Sequence, residues 1–315
     1  MDINGGLMKN LKVIFMGTPD FSVPILNALI DTCNVIGVVC QPDSVSGKLS
    51  PIKEIAIAKG IAVFQPVTIK TDYQAILNLK ADIIITCAYG QIIPKAILDD
   101  PHYGCINVHA SLLPKLRGGA PIHRAIINGD TKTGITIMYM AEKMDAGPII
   151  RQQVIDILPT DNVGMLHDRL SILGRDLLIE TLPDILSGNI EPIKQNESDV
   201  TFAWVIKRED EHLNFSKSKR EIYNVIRALN PSPGAYCMIE NKVLKVWDAR
   251  TSDEVHTSDF DGEIVALYED GIGVKTTNGE IIFTEVQLEG RKRMSARDFL
   301  NGLKNRELLI GKICE

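Results

Sequence analysis

The run Asp82–Cys87 is continuously β-branched and apolar past its first residue but for Thr86. Side chains alternate along a strand, so a run with apolar residues on both faces must be covered on both sides. Lys12–Met16, Asn34–Cys40, Ala62–Phe64 and Cys105–His109 are runs of the same kind. Between them, Phe21–Ile30, Ile52–Lys59, Asp72–Leu79 and Pro121–Asn128 carry helical spacing. This alternation predicts an α/β fold, a Rossmann-like parallel sheet with helices on both faces. Such sheets bind ligands beyond the carboxyl ends of their strands. Gly17-Thr18, Gln41-Pro42, Tyr89-Gly90 and His109 all follow strands, which gathers them at one edge.

The second half is organised differently. Gly134–Met140 and Ile149–Val154 read as a hairpin whose tip carries Asp145. Asp161–Leu186 reads as a long amphipathic helix with Asp161 at its N-cap. Gly188–Asp199 is polar, contains Pro192, and reads as a linker. A helix over Ser218–Leu229 then precedes five short strands: Ala235–Ile239, Val243–Ala249, Gly262–Tyr268, Gly273–Thr277 and Glu280–Val286. Evenly spaced short strands with Gly and Asn turns suggest a small, OB-like β-barrel. With 315 residues, two domains are expected: residues 8–188, a linker over 189–206, and residues 207–315. Met1–Lys9 is polar and Gly-rich, and fraying is expected there.

Composition narrows the functional classes. The net charge is −6, so no global basic field attracts nucleic acid, and any such partner must be held by local patches. Six scattered cysteines form neither a C-x-x-C pair nor a metal-ligand spacing, so reduced thiols and no metal are expected. No stretch is long and apolar enough to span a membrane, and the expectation is a cytoplasmic, soluble, monomeric protein.

Asn107 and His109, two residues apart on one strand, face the same way. An amide that can donate to an oxyanion beside a group that can move a proton suits acyl-type transfer. Each alone reads equally well as a structural side chain. Asp145, on the hairpin turn, could meet His109 and fix its tautomer; alone it reads as a turn Asp before a small residue. Arg117-Gly118-Gly119 could be a flexible surface turn, and Trp204 and Trp247 read as packing residues.

Asn107-Val108-His109 with Ser111-Leu112-Leu113-Pro114, Arg117-Gly118-Gly119-Ala120-Pro121 and Met144-Asp145-Ala146-Gly147 resembles the signature of the folate-dependent formyltransferases. Phe15–Phe21, Thr201-Phe202-Ala203, Lys207–Asp210 and Ile226–Pro231 resemble the members that act on aminoacyl-tRNA. The similarity runs from about Lys12 to the end of the chain. It implies transfer of a formyl group from 10-formyltetrahydrofolate to the α-amino group of methionine esterified to initiator tRNA. It further implies that residues 8–188 are catalytic and that residues 207–315 bind tRNA. The family's catalytic Asn, His and Asp fall on Asn107, His109 and Asp145. Its folate site falls on Ser111, Leu112, Leu113 and Pro114, on Ala88, Tyr89, Gly90, Gln91 and Ile92, and on the Asp145 turn. For tRNA, the basic candidates are Lys48, Arg291, Lys292, Arg293 and Arg297, although over residues 209–315 acidic side chains outnumber basic ones 19 to 15.

One departure stands out. After Gln41-Pro42-Asp43 the family usually carries an arginine and a longer basic loop; here Ser44–Pro51 holds a single lysine, Lys48. A genuine shortening would bear on tRNA affinity and leave the folate chemistry alone. The rival substrate is an amino sugar nucleotide, formylated by the same three residues.

Overall fold

The structure is a computed structural model that describes residues 8–44, 47–258 and 260–315. The fraying expected at Met1–Lys9 falls mostly on Met1–Leu7, outside the described residues. Two compact units form: Met1–Pro121, Lys132–Asp156 and His167–Trp204 make the first, and Ile122–Thr131, Ile157–Leu166 and Val205–Glu315 the second. No described helix is long and apolar enough to cross a membrane.

Along the chain run β1 (Lys12–Gly17), α1 (Val23–Thr32), β2 (Asn34–Val39), α2 (Pro51–Ala58), β3 (Val63–Phe64), α3 (Gln74–Leu77) and β4 (Ile83–Cys87). Then come α4 (Lys95–Leu98), β5 (Cys105–His109), α5 (Pro121–Ile127), β6 (Lys132–Tyr139), β7 (Ile149–Asp156) and α6 (Val163–Ser187). The strands form one sheet in the order β3-β2-β1-β4-β5-β6-β7. β1 to β5 are parallel, and β6 and β7 add an antiparallel edge. The expected α/β architecture is present. All of β4 is buried, as its apolar run requires.

The chain winds outward from β1 to β3, then resumes at β4 on the other side of β1. This is the topological switch at which a crevice opens in such sheets. Register aligns Gly17 with Cys87 and Thr86 with Asn107, so the turns after β1, β4 and β5 leave from one edge. The hairpin of β6 and β7 pairs beside β5, with Asn107 opposite Met138.

Two expectations need correction. The helix N-cap is Asn162, whose Oδ1 accepts from Met165 N at 2.9 Å; Asp161 is buried and accepts instead from Leu158 N at 2.7 Å. Residues 189–199 are built into the first unit and are not a free linker. Ile193 pairs with Ile149, and Gln195 is buried against the Asp145 turn. A polar composition misled here because one residue of the stretch, Gln195, is bonded inward while the other polar side chains stay exposed.

The second unit takes in two segments from the first half of the chain. Arg227 donates to the carbonyls of Leu158 and Asp161, and Gly164 N to that of Asn230. Its own elements are α7 (Lys219–Ala228), β8 (Ala235–Ile239), β9 (Lys242–Ser252), β10 (Ile264–Leu267), β11 (Ile272–Thr276), β12 (Gly279–Leu288), β13 (Met294–Ser295) and α8 (Ala296–Asn301). Ser218 caps α7 through a capping box with Glu221. The antiparallel sheet runs β10-β11-β12-β9-β8, with β13 on β12. Residues 311–315 bond to both of its end strands, through Ile264 of β10 and Met238 of β8. That segment is the stave that closes the expected barrel over Phe283, Val246, Ile222 and Phe299.

Candidate active site

Asn107 and His109 leave β5 on the same face. Thr86, on the neighbouring strand, donates its hydroxyl to Asn107 Oδ1 at 2.9 Å. Among the described residues Asn107 Nδ2 has no partner, so the amide presents two unused N–H donors. His109 is buried, and its Nε2 lies 3.1 Å from Leu116 O. A carbonyl only accepts, so Nε2 carries the proton and Nδ1 keeps the lone pair. Nδ1 in turn lies 3.8 Å from Asp145 Oδ2. That is too long for a hydrogen bond and short enough for charge stabilisation of an imidazolium.

Asp145 holds an unusual backbone, with φ +48°, at the turn between β6 and β7. Its Oδ2 accepts from Gly118 N at 2.8 Å. Its carbonyl and that of Gly147 both accept from Gln195 Nε2, each at 2.8 Å. Gln195 Oε1 accepts in turn from Arg117 Nε and Nη2 at 3.0 and 2.8 Å. Arg117 is wholly buried, and its Nη2 also pairs with Glu197 at 3.0 Å, which holds that carboxyl below its ordinary range. The Arg117 turn is therefore a buried ionic anchor and no loose surface loop.

A second brace comes from Thr201–Ala203. Thr201 Oγ1 accepts from Leu116 N and its carbonyl from Arg117 N, both at 2.9 Å. Ala203 N donates to Arg117 O at 2.7 Å, and Ala203 O accepts from Ala120 N at 3.1 Å. Gly118 permits this approach: a Cβ there would lie 2.7 Å from Ala203 O. Both groups that hold the His109–Asp145 pair, Leu116 O and Gly118 N, are thus fixed by residues about 85 positions away.

A cleft opens over Asn107 and Asp145. Its walls are Ile92, Ile93, Met138, Met140 and Met144, with Gln91, Ala141 and Glu142. Of the folate residues expected from sequence, Gln91 and Ile92 line it. Ala88, with φ +50°, and Gly90 shape the preceding turn, where Tyr89 O accepts from Gln41. The Tyr89 side chain is buried, which pushes its hydroxyl up to about 12. Ser111 and Leu113 are also buried, in the loop that supports His109. Ser111 Oγ bonds to Lys115 O, and Leu113 packs on Met138 and Ile149. Neither they nor Leu112 and Pro114 line this cleft. Met138, Met140 and Met144 carried no signal in the sequence beyond hairpin alternation.

Burial pushes the thiols of Cys87, at the end of β4, and Cys105, at the start of β5, up to about 12 and keeps them protonated. Among the described residues one set of possible metal ligands gathers, Glu254, His256 and Glu280 in the second unit. His256 bonds Glu280, and the Tyr268 hydroxyl lies within hydrogen-bond distance of both Glu254 and Glu280.

The basic candidates are placed unevenly. Arg293 pairs with Glu285 and lies 4.7 Å over Trp247, while Arg297 pairs with Glu269. Arg291, Lys292 and Lys48 are exposed. Asp43 is bonded by Lys53 and Gln65, which ties down the start of the short loop; its Val45 and Ser46 lie outside the described residues. Trp247 is buried, as expected, but Trp204 is 59% exposed and stacks on Phe202.

The chain belongs to the formyl transferase family: the profile described as "Formyl transferase" matches residues 9–182, and "Formyl transferase, C-terminal domain" matches residues 205–304. It is 50% identical over 300 residues to the methionyl-tRNA formyltransferase of Bacillus subtilis strain 168, covering 92% of this chain and 94% of that one. Among solved structures, the N-formyltransferase from Helicobacter canadensis with folinic acid and dTDP-3-aminofucose shares the fold. The TM-score is 0.66 at 21% identity, covering 87% of this chain and 98% of that one. HypX from Aquifex aeolicus with tetrahydrofolic acid matches at TM-score 0.64 and 15% identity, covering 93% of this chain and 47% of that one.

Proposed function

We propose that this chain transfers the formyl group of 10-formyltetrahydrofolate to the α-amino group of methionyl-initiator tRNA, with Asn107, His109 and Asp145 as the catalytic residues. The observation that carries the assignment of roles is the unpartnered Asn107 amide facing a cleft beside the His109–Asp145 pair. The half-identical relative supports tRNA over an amino sugar nucleotide, since the sugar enzyme shares the fold at only 21% identity.

The cleft fits the folate: isoleucine and methionine walls suit a pterin ring, and Gln91, Asn107 and Asp145 offer polar contacts to its edge. When bound, it supplies a formyl carbon that gains negative charge on oxygen as the amine adds to it. Asn107 Nδ2 donates to that oxygen, with Thr86 holding its Oδ1. His109 takes the amine proton on Nδ1 and returns it to the leaving nitrogen, and Asp145 stabilises the imidazolium in between. No covalent enzyme intermediate is needed.

Asn107→Ala and His109→Ala are expected to lower kcat on the order of a hundredfold or more while the protein still folds cooperatively. The assay sets methionyl-initiator tRNA, methionyl-elongator tRNA and an amino sugar nucleotide side by side. Wild-type turnover in either variant would overturn the roles, and inactivity on the initiator species would overturn the substrate.

A further inference from the structure

Glu280 is a carboxylate buried where a barrel strand ordinarily meets water. Ile281 and Phe283, on the same strand β12, pack in the barrel core, so alternation puts Glu280 on the outer face. It is nonetheless fully buried. His256 Nε2 lies 3.0 Å from its Oε2, and the Tyr268 hydroxyl 2.5 Å from its Oε1. The same hydroxyl lies 3.1 Å from Oε2 of Glu254, two residues before His256 in the segment that follows β9. Gly273 leaves room for the carboxylate, since a Cβ there would fall 2.6 Å from Glu280 Oε2.

Buried charges are paired or coordinate metals. Among the described residues His256 is the one ion-pair partner of Glu280. The nearby cations Lys219 and Arg250 are committed to Asp253 and Asp270. Tyr268 has a single hydroxyl proton and serves one of the two carboxylates at a time. The segment that covers one carboxylate thus brings a second one to it, which is costly unless a cation joins them. One ligand atom from each of Glu254, His256 and Glu280 lies within 4.8 Å of the other two. Around a single ion with bonds of about 2.0–2.2 Å, such atoms stand roughly 3–4 Å apart. Glu254 is exposed, and a small swing of its side chain closes that difference. Imidazole combined with carboxylates suits zinc, whereas calcium and magnesium take oxygen ligands.

We propose that Glu254, His256 and Glu280 bind a zinc ion, with the Tyr268 hydroxyl orienting the carboxylates from outside the ligand set. His256 then gives its Nε2 lone pair to the ion in place of a hydrogen bond to Glu280. Two carboxylates and a neutral imidazole balance the double positive charge, which removes the cost of burying Glu280. The ion fastens residues 254–256 to β12. It takes no part in the formyl transfer proposed above, so the two readings stand or fall separately. Cysteine spacing could not reveal such a site, because its ligands are histidine and glutamate.

The test titrates the full-length protein, stripped with a chelator and dialysed, with zinc chloride in a calorimeter, and counts bound metal by elemental analysis. One zinc per chain is expected, with a rise in the thermal midpoint that calcium and magnesium chloride do not reproduce. His256→Ala is expected to weaken zinc binding about a hundredfold or more, and Glu254→Gln at least about tenfold. Both residues lie in a loop, Glu254 exposed and His256 partly so, and neither variant removes a core side chain. His102→Ala, which removes an exposed histidine of the first unit, should bind zinc as the wild type does. No zinc uptake by the wild type, equal affinity in the wild type and both loop variants, or the same midpoint rise with calcium or magnesium would each overturn the site.

Discussion

Gln195 uses every hydrogen-bonding position it has. Its amide donates to two carbonyls of the Asp145 turn and its oxygen accepts twice from Arg117. Gln195→Ala should therefore cost about 2–4 kcal/mol, because it leaves the buried Arg117 with Glu197 as its side-chain partner and strands two carbonyls. Gln195→Glu separates the two roles: it keeps an acceptor for Arg117 and loses both donors to the turn. Denaturant unfolding should show Gln195→Glu more stable than Gln195→Ala, while kcat falls at least tenfold in both, since small misplacements of Asp145 are costly. Equal kcat in Gln195→Glu and wild type would show that the turn needs no such brace. None of this was legible in the sequence. A glutamine in a polar stretch and an arginine before two glycines read as surface residues, and only a contact across 78 positions reveals them as buried partners. Asn107 and His109 could be read because their geometry is local: two residues apart on one strand.

The hairpin of β6 and β7 is what carries Asp145 to the sheet edge, and its alternation was plain in the sequence. What the pattern could not show is how tightly the turn closes. A Cβ on Gly147 would lie 1.8 Å from Tyr139 O, so no side chain fits there without spreading the hairpin. Gly147→Ala should displace the Asp145 turn and lower kcat on the order of a hundredfold, with a loss of about 1–3 kcal/mol in stability from overpacking. Activity and denaturant midpoint measured together decide it. Wild-type kcat in the variant would mean that the turn tolerates a shift. The same limit explains the misplaced helix cap. Asp161 and Asn162 are both good N-caps, and the choice fell to Asn162 because Asp161 turns inward to bond Leu158.

Across the whole molecule the charge balance constrains how a polyanion is held. The chain carries −6 overall, and between Asp43 and Pro51 it holds a single basic residue, Lys48. Of the basic candidates, Arg293 and Arg297 already pair with Glu285 and Glu269. Lys48, Arg291 and Lys292 are exposed and have no ion pair among the described residues. Each phosphate neutralised on a duplex contributes about −0.9 to the slope of log K against log salt, so three contacts give a slope near −3. A protein that depended on a basic loop and a basic domain face would show a much steeper slope. Binding of initiator tRNA measured between low and moderate salt should therefore fall by only one to two orders of magnitude over a fourfold change in concentration. Replacing Arg291 and Lys292 together by alanine should flatten the slope by about 2. A slope unchanged in that variant would place the phosphate contacts elsewhere. The modest electrostatic term leaves the rest of the grip on the acceptor end to contacts that salt does not screen.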